Sequence, residues 1–120
     1  MSEGVPLDLE EGAPELAAIL RTGHRSRFRL VELVCERGGD RFAEIFRSNA
    51  GPILLGRGAL ATAEGDRYRR GYVVRYLDRE PDVAAASLQC RCNEHHLPVR
   101  WLAEQRGRVV LQPRQLRALR

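Results

Sequence analysis

Two of the three cysteines and two of the three histidines of this chain fall within seven residues, Cys90-Arg91-Cys92-Asn93-Glu94-His95-His96. Thiolate sulfur and imidazole nitrogen are the donors that close a tetrahedral zinc site, and the two-residue gap between Cys92 and His95 lets one tight turn aim both at a single ion. Cys90 and His96 stand directly beside that pair. The same residues admit a second chemistry, in which Cys92, lying ahead of a helix start, acts as a nucleophile activated by His95 or His96. No oxyanion loop and no orienting partner is recognisable for it. In a third reading Cys35 and Cys90 are small buried hydrophobes, as unpaired cysteines commonly are, and the histidines belong to a half-exposed turn.

The elements around this cluster follow from local patterning. Residues 1–13 form an acidic leader containing Gly4, Pro6 and Gly12, expected to be flexible. Pro14 suits a first helical position, Glu15 the positive end of the helix dipole, and Gly23 a stop; Leu16, Ile19 and Leu20 recur at i, i+3 and i+4. A short amphipathic helix is expected there. From Arg27 the period changes to two: residues 28–35 and 41–47 read as strands joined by the turn Glu36-Arg37-Gly38-Gly39-Asp40. A turn at Ser48-Asn49-Ala50-Gly51 leads to a third strand from Pro52 to Leu55, completing an antiparallel meander. Gly56-Arg57-Gly58 is expected to interrupt it, and residues 59–71 to form an exposed loop. Tyr72 to Leu77, rich in aromatic and β-branched residues, is the next strand; residues 87–92 are short and extended. Pro98 opens a helix over Val99 to Arg106 with Trp101 and Leu102 facing inward, Val109 to Leu111 is a last strand, and Gln115 to Arg120 a basic helical tail.

Cys35 closes the first strand immediately before a Gly-Gly turn, and the second Cys/His group leads into a helix. A cysteine at a strand end, a Gly-rich turn, antiparallel strands and then a distant Cys/His knuckle resembles the zinc-ribbon group of small bacterial proteins, over roughly residues 28 to 105. The resemblance implies a structural zinc held by Cys35, Cys90, Cys92 and His95. A zinc ribbon places C-x-x-C at its first turn, whereas Cys35-Glu36-Arg37-Gly38 has glycine at the second thiolate position. Either Cys90 or His96 completes the set or the knuckle is degenerate and binds no metal.

Composition narrows the function classes. At 120 residues the chain is one domain, long enough to bury roughly two thirds of its unfolded surface, so folding does not require a metal. The apolar fraction is 43% and no apolar run approaches a membrane span. The acidic N-terminus lacks the basic start of a secretory signal. An odd cysteine count and the absence of such a signal point to a reduced, cytoplasmic location and away from a disulfide framework. All 20 basic residues counted as Lys plus Arg are arginines, and the formal charge is only +4. An arginine bias of this kind suggests bacterial coding composition, and it weakens the step from a pI near 9.5 to nucleic-acid binding.

A nucleic-acid reading still has a location. Arg67, Arg69, Arg70 and Arg75 are interleaved with Tyr68, Tyr72 and Tyr76, and guanidinium groups beside aromatic rings hold phosphates while the rings stack on bases. The same residues fit a protein partner, and Tyr72, Val74 and Tyr76 share one strand face that equally suits a core. The sequence thus leads to an α+β domain over residues 14–120. It is expected to have a small antiparallel sheet of about five strands, an N-terminal helix and a second helix after the Cys/His knuckle. It reads as a non-enzymatic binding module with a protein partner, nucleic-acid binding through Arg67, Arg69, Arg70, Tyr72 and Arg75 being the alternative.

Overall fold

The computed structural model describes residues 11–36, 40–57, 59–61, 72–79, 87–89 and 96–111. The chain is α+β. Helix α1 (Pro14–Arg21) starts on Pro14, whose missing N–H costs nothing in a first turn, and ends where Thr22 and Gly23 donate back to the Ile19 and Leu20 carbonyls. Gly23 has φ +75°, the left-handed conformation that glycine adopts most cheaply after a helix. A 3₁₀ turn (Arg25–Arg27) then leads into strand β1 (Arg29–Cys35).

Strands β1, β2 (Asp40–Phe46) and β3 (Ile53–Arg57) form the expected antiparallel meander, and β5 (Tyr72–Tyr76) extends it by pairing antiparallel with β3. The β2–β3 turn is closed by Ser48, whose hydroxyl donates to the Gly51 carbonyl at 2.7 Å and accepts from the Ala50 N–H at 3.0 Å. Gly51 has φ +93°, and a Cβ there would run into the Asp78 carboxylate. Ser48 and Gly51 therefore set the register of β3 on β2, with Phe46 opposite Ile53.

Strand β8 (Gly107–Leu111) completes the five-stranded sheet, in the order β5-β3-β2-β1-β8, and lies parallel to β1. The sheet is consequently mixed. A second, three-stranded antiparallel sheet is built from β4 (Ala59–Ala61), β6 (Ser87–Gln89) and β7 (His96–Pro98), in the order β4-β6-β7. Helix α2 (Val99–Ala103) follows β7 directly and closes with Glu104 and Gln105 donating to the Trp101 and Leu102 carbonyls.

Several boundaries differ from the sequence expectation. Gly56 and Arg57 do not interrupt β3: they pair with Val73 and Tyr72, and Gly58 alone separates β3 from β4, which was expected to be loop. A side-chain pattern sees glycine as a break, but a strand passing from one sheet to another is where a residue without Cβ is useful. Residues 11–12 are already helical and Ala13, the last residue of the expected leader, is buried. Helix α2 stops at Ala103, short of Arg106. Residues 1–10, the Gly38–Gly39 turn and the expected tail over Gln115 to Arg120 lie outside the described residues.

Two cores result. On one face of the large sheet, Val31, Leu33, Ala43, Ile45 and Leu54 pack with Leu88 and Leu97 of the small sheet and with Val99 and Leu102 of α2. On the other face, Leu16 and Ile19 of α1 cover Phe46, Ile53, Leu55 and Tyr76. Leu16 is fully buried, so truncating it removes roughly 1.5–3 kcal/mol of transfer free energy before any cavity cost.

Candidate functional site

Cys35 ends β1 with Asp40 opposite it on β2 and Leu111 beside it on β8, and at 4% exposure it is part of the larger core. Leu88 and Leu97 belong to that same core. They come from β6 and β7, which pair with Gln89 opposite His96. The segment from Cys90 to His95 is therefore the connection between two paired strand ends. Cys90, Cys92 and His95 themselves lie outside the described residues. His96 opens β7. Among the described residues no group of three His, Cys, Asp or Glu side chains is arranged to hold a metal.

The proposed arginine and tyrosine surface divides. Arg67, Arg69 and Arg70 lie outside the described residues, and Tyr72 opens β5 opposite Arg57. Arg75 is half-buried, sits opposite Leu54 and donates to its neighbouring Val74 carbonyl at 3.0 Å. Tyr76 is 6% exposed and packs in the α1 core. Its alternate position on β5 turns it towards the helix, as a period of two requires.

Polar chemistry that the sequence reading missed lies on the α1 side of the sheet. Glu32 and Glu44 are directly opposite each other on β1 and β2, and both are buried. Arg29 Nε donates to Glu44 at 2.8 Å and its Nη1 stands 3.6 Å from Glu32. Arg41 mirrors it, with Nε donating to Glu32 at 2.7 Å and Nη1 3.4 Å from Glu44. Arg25, whose guanidinium also lies 5.7 Å from the centre of the Phe46 ring, donates to the other Glu44 oxygen at 2.5 Å. Three guanidiniums thus neutralise two buried carboxylates that would otherwise repel across the ladder. In sequence Glu32 shares its strand face with Leu30 and Val34, and Glu44 with Phe42 and Phe46. The missed signal is a glutamate on an apolar strand face with an arginine three residues before it, Arg29 before Glu32 and Arg41 before Glu44.

A second polar tie fastens α1. The Tyr76 hydroxyl donates to Glu15, and Arg79 lies 3.8 Å from the other Glu15 oxygen with its guanidinium 4.2 Å from the Tyr76 ring centre. The Tyr76 hydrogen bond, then the backbone N–H of Glu15 itself, hold the Glu15 carboxyl below its ordinary range. Burial, reinforced by the facing carboxylate, pushes the Tyr76 phenol up to about 12.

No family model matches this chain, and no curated protein or solved structure matches it. Among the described residues, no helix is long and apolar enough to cross a membrane.

Proposed function

We propose that this chain is a non-enzymatic binding module whose Cys90–His95 segment forms a structural zinc knuckle, with Cys35, Cys90, Cys92 and His95 as the ligand set. The observation that carries it is the pairing of β6 with β7, Gln89 opposite His96, which makes the whole C-x-C-x-x-H run the connection between two adjacent strand ends. A short connection of this kind is where a zinc knuckle gathers its donors. The strands that flank it pack in the same core as Cys35. A buried thiolate requires a compensating cation, which zinc supplies; four protein ligands close a structural site and leave no position for substrate water.

The partner that suits this module is a protein rather than a nucleic acid. Arg25, Arg29 and Arg41 are committed to Glu32 and Glu44, and Arg47 and Arg79 lie over the Phe28 and Tyr76 rings. Part of the arginine excess is thus spent on internal ion pairs rather than on a basic surface.

Elemental mass spectrometry of freshly purified protein, paired with thiol titration before and after chelation, decides the metal reading. One zinc per chain with thiols that react only after chelation is the expected result. Metal-free protein whose thiols become reactive only on unfolding would sink it.

A further inference from the structure

We propose that the cleft between α1 and the β1–β2 end of the sheet binds a small monocarboxylate with an apolar body. The cleft has a volume of about 380 Å³, within the range of roughly 300–1,000 Å³ typical of small-molecule sites. Helix α1 presents Glu15, Ala18, Ile19 and Thr22 to it, spaced i, i+3, i+4 and i+7 along one stripe. Phe28, Arg47 and Asn49 face them. Ala18 is exposed, and its single methyl leaves open the space that a larger side chain would fill.

An account of the polar atoms indicates which ligand fits. The Thr22 hydroxyl donates to the Ile19 carbonyl and accepts from the His24 N–H, and Ser48 is equally satisfied within its turn. Glu15 is held by Tyr76 and Arg79. Two polar groups remain. The Arg47 guanidinium lies 5.2 Å from the Phe28 ring centre and donates one hydrogen bond, to the Arg27 carbonyl at 3.0 Å. Among the described residues no carboxylate pairs with it, and the Asn49 side-chain amide has no partner.

A cation with unspent N–H donors beside an amide calls for a carboxylate, which a guanidinium binds with geometric fit. Ile19, Ala18 and Phe28 call for an apolar body. The stripe from Glu15 to Thr22 runs for roughly 10 Å along the helix axis, enough for a ring and a short linker. Glu15 on the same wall disfavours a second negative charge, which excludes dianions such as phosphate monoesters. This site is independent of the zinc knuckle.

The probe is phenylacetate, titrated into the isotope-labelled full chain and followed by amide chemical shifts. Phenylacetamide removes the charge and acetate removes the apolar body. Saturable shifts at Ala18 to Thr22, Phe28 and Asn49 are expected, with each control at least about tenfold weaker, the loss of one charge-assisted contact or of the ring. Arg47→Gln should weaken phenylacetate similarly, and Ala18→Leu, at an exposed position, should abolish binding at an unchanged melting temperature. Equal affinity for phenylacetamide, shifts centred elsewhere, an absence of saturation, or unaltered binding by the Ala18→Leu protein would each overturn the proposal. So would a peptide that occupies the cleft through its C-terminal carboxylate when phenylacetate does not, since that would assign the cleft to a chain terminus.

Discussion

Glu32 and Glu44 face one another across the β1–β2 ladder, buried, and Arg29 and Arg41 each reach both carboxylates. The result is a closed ring of four charges with Arg25 as a fifth member on Glu44. Two like charges directly opposite on a sheet are destabilising unless something stands between them. Here two guanidiniums do.

Removing one buried carboxylate breaks ion pairs with half-buried guanidiniums, so the loss exceeds that of a surface ion pair. Glu44→Ala should destabilise the fold by about 3–5 kcal/mol in chemical denaturation, since its side chain is 2% exposed, Arg25 loses its carboxylate partner and Arg29 its principal one. Glu32→Ala should cost about 1.5–3 kcal/mol, because its principal partner, Arg41, is 36% exposed and can turn to water. Equal losses for the two variants would contradict this ranking.

Gly51 and Gly107 both have positive φ, at +93° and +84°, yet only Gly51 has a neighbour in the way. Gly107→Ala should therefore cost about 1–2 kcal/mol, the penalty of a left-handed backbone with a Cβ. Gly51→Ala should cost more, because its methyl must also displace the Asp78 carboxylate. Placing Asp78→Ala in the Gly51→Ala background should recover the difference. Thermal unfolding of the three variants beside the unaltered protein checks the order.

The tie between Tyr76 and Glu15 predicts how α1 responds to pH. The Tyr76 phenol is raised to about 12, so its contribution to stability is complete below the ordinary value of 10.0 and disappears as pH rises towards 12. Glu15 is shifted the other way: its contribution is complete above the ordinary 4.5 and is lost as pH falls through its lowered value. Absorbance titration of tyrosinate should show one late-ionising tyrosine, missing in Tyr76→Phe. A Tyr76 signal titrating near 10 in the folded protein would show that the hydroxyl is not held by Glu15.

Nucleic-acid contact makes a separate prediction. On the protein-partner reading, single-stranded oligonucleotides should not bind the protein specifically at moderate salt. Binding that falls steeply with added salt, with a slope of several phosphates, would restore the arginine surface as the functional one.

What the sequence by itself determined is the local part of this protein. Pro14 and Gly23 bracket α1, the alternation of Val31, Leu33 and Cys35 marks β1 as a core strand, and Ser48 to Gly51 announces a turn. Each of these depends on backbone geometry within a few residues. The concentration of sulfur and imidazole between Cys90 and His96 is equally visible, because composition needs no fold to be read.

What only the tertiary structure decided is which distant segments meet. Nothing local in Gly107 to Leu111 says that it pairs parallel to β1 rather than extending the meander, since a strand pattern specifies a face but not a neighbour. The three-residue strands β4, β6 and β7 are too short to show a period at all. Glu32 and Glu44 each stand on an otherwise apolar strand face, with Leu30 and Val34 or Phe42 and Phe46, but the one-dimensional pattern does not say what balances their charge; the cross-strand register buries them together and brings Arg25, Arg29 and Arg41 around them. Burial of a charge is stable only when its partners arrive from other segments, and their arrival is a property of the three-dimensional packing that no single stretch encodes.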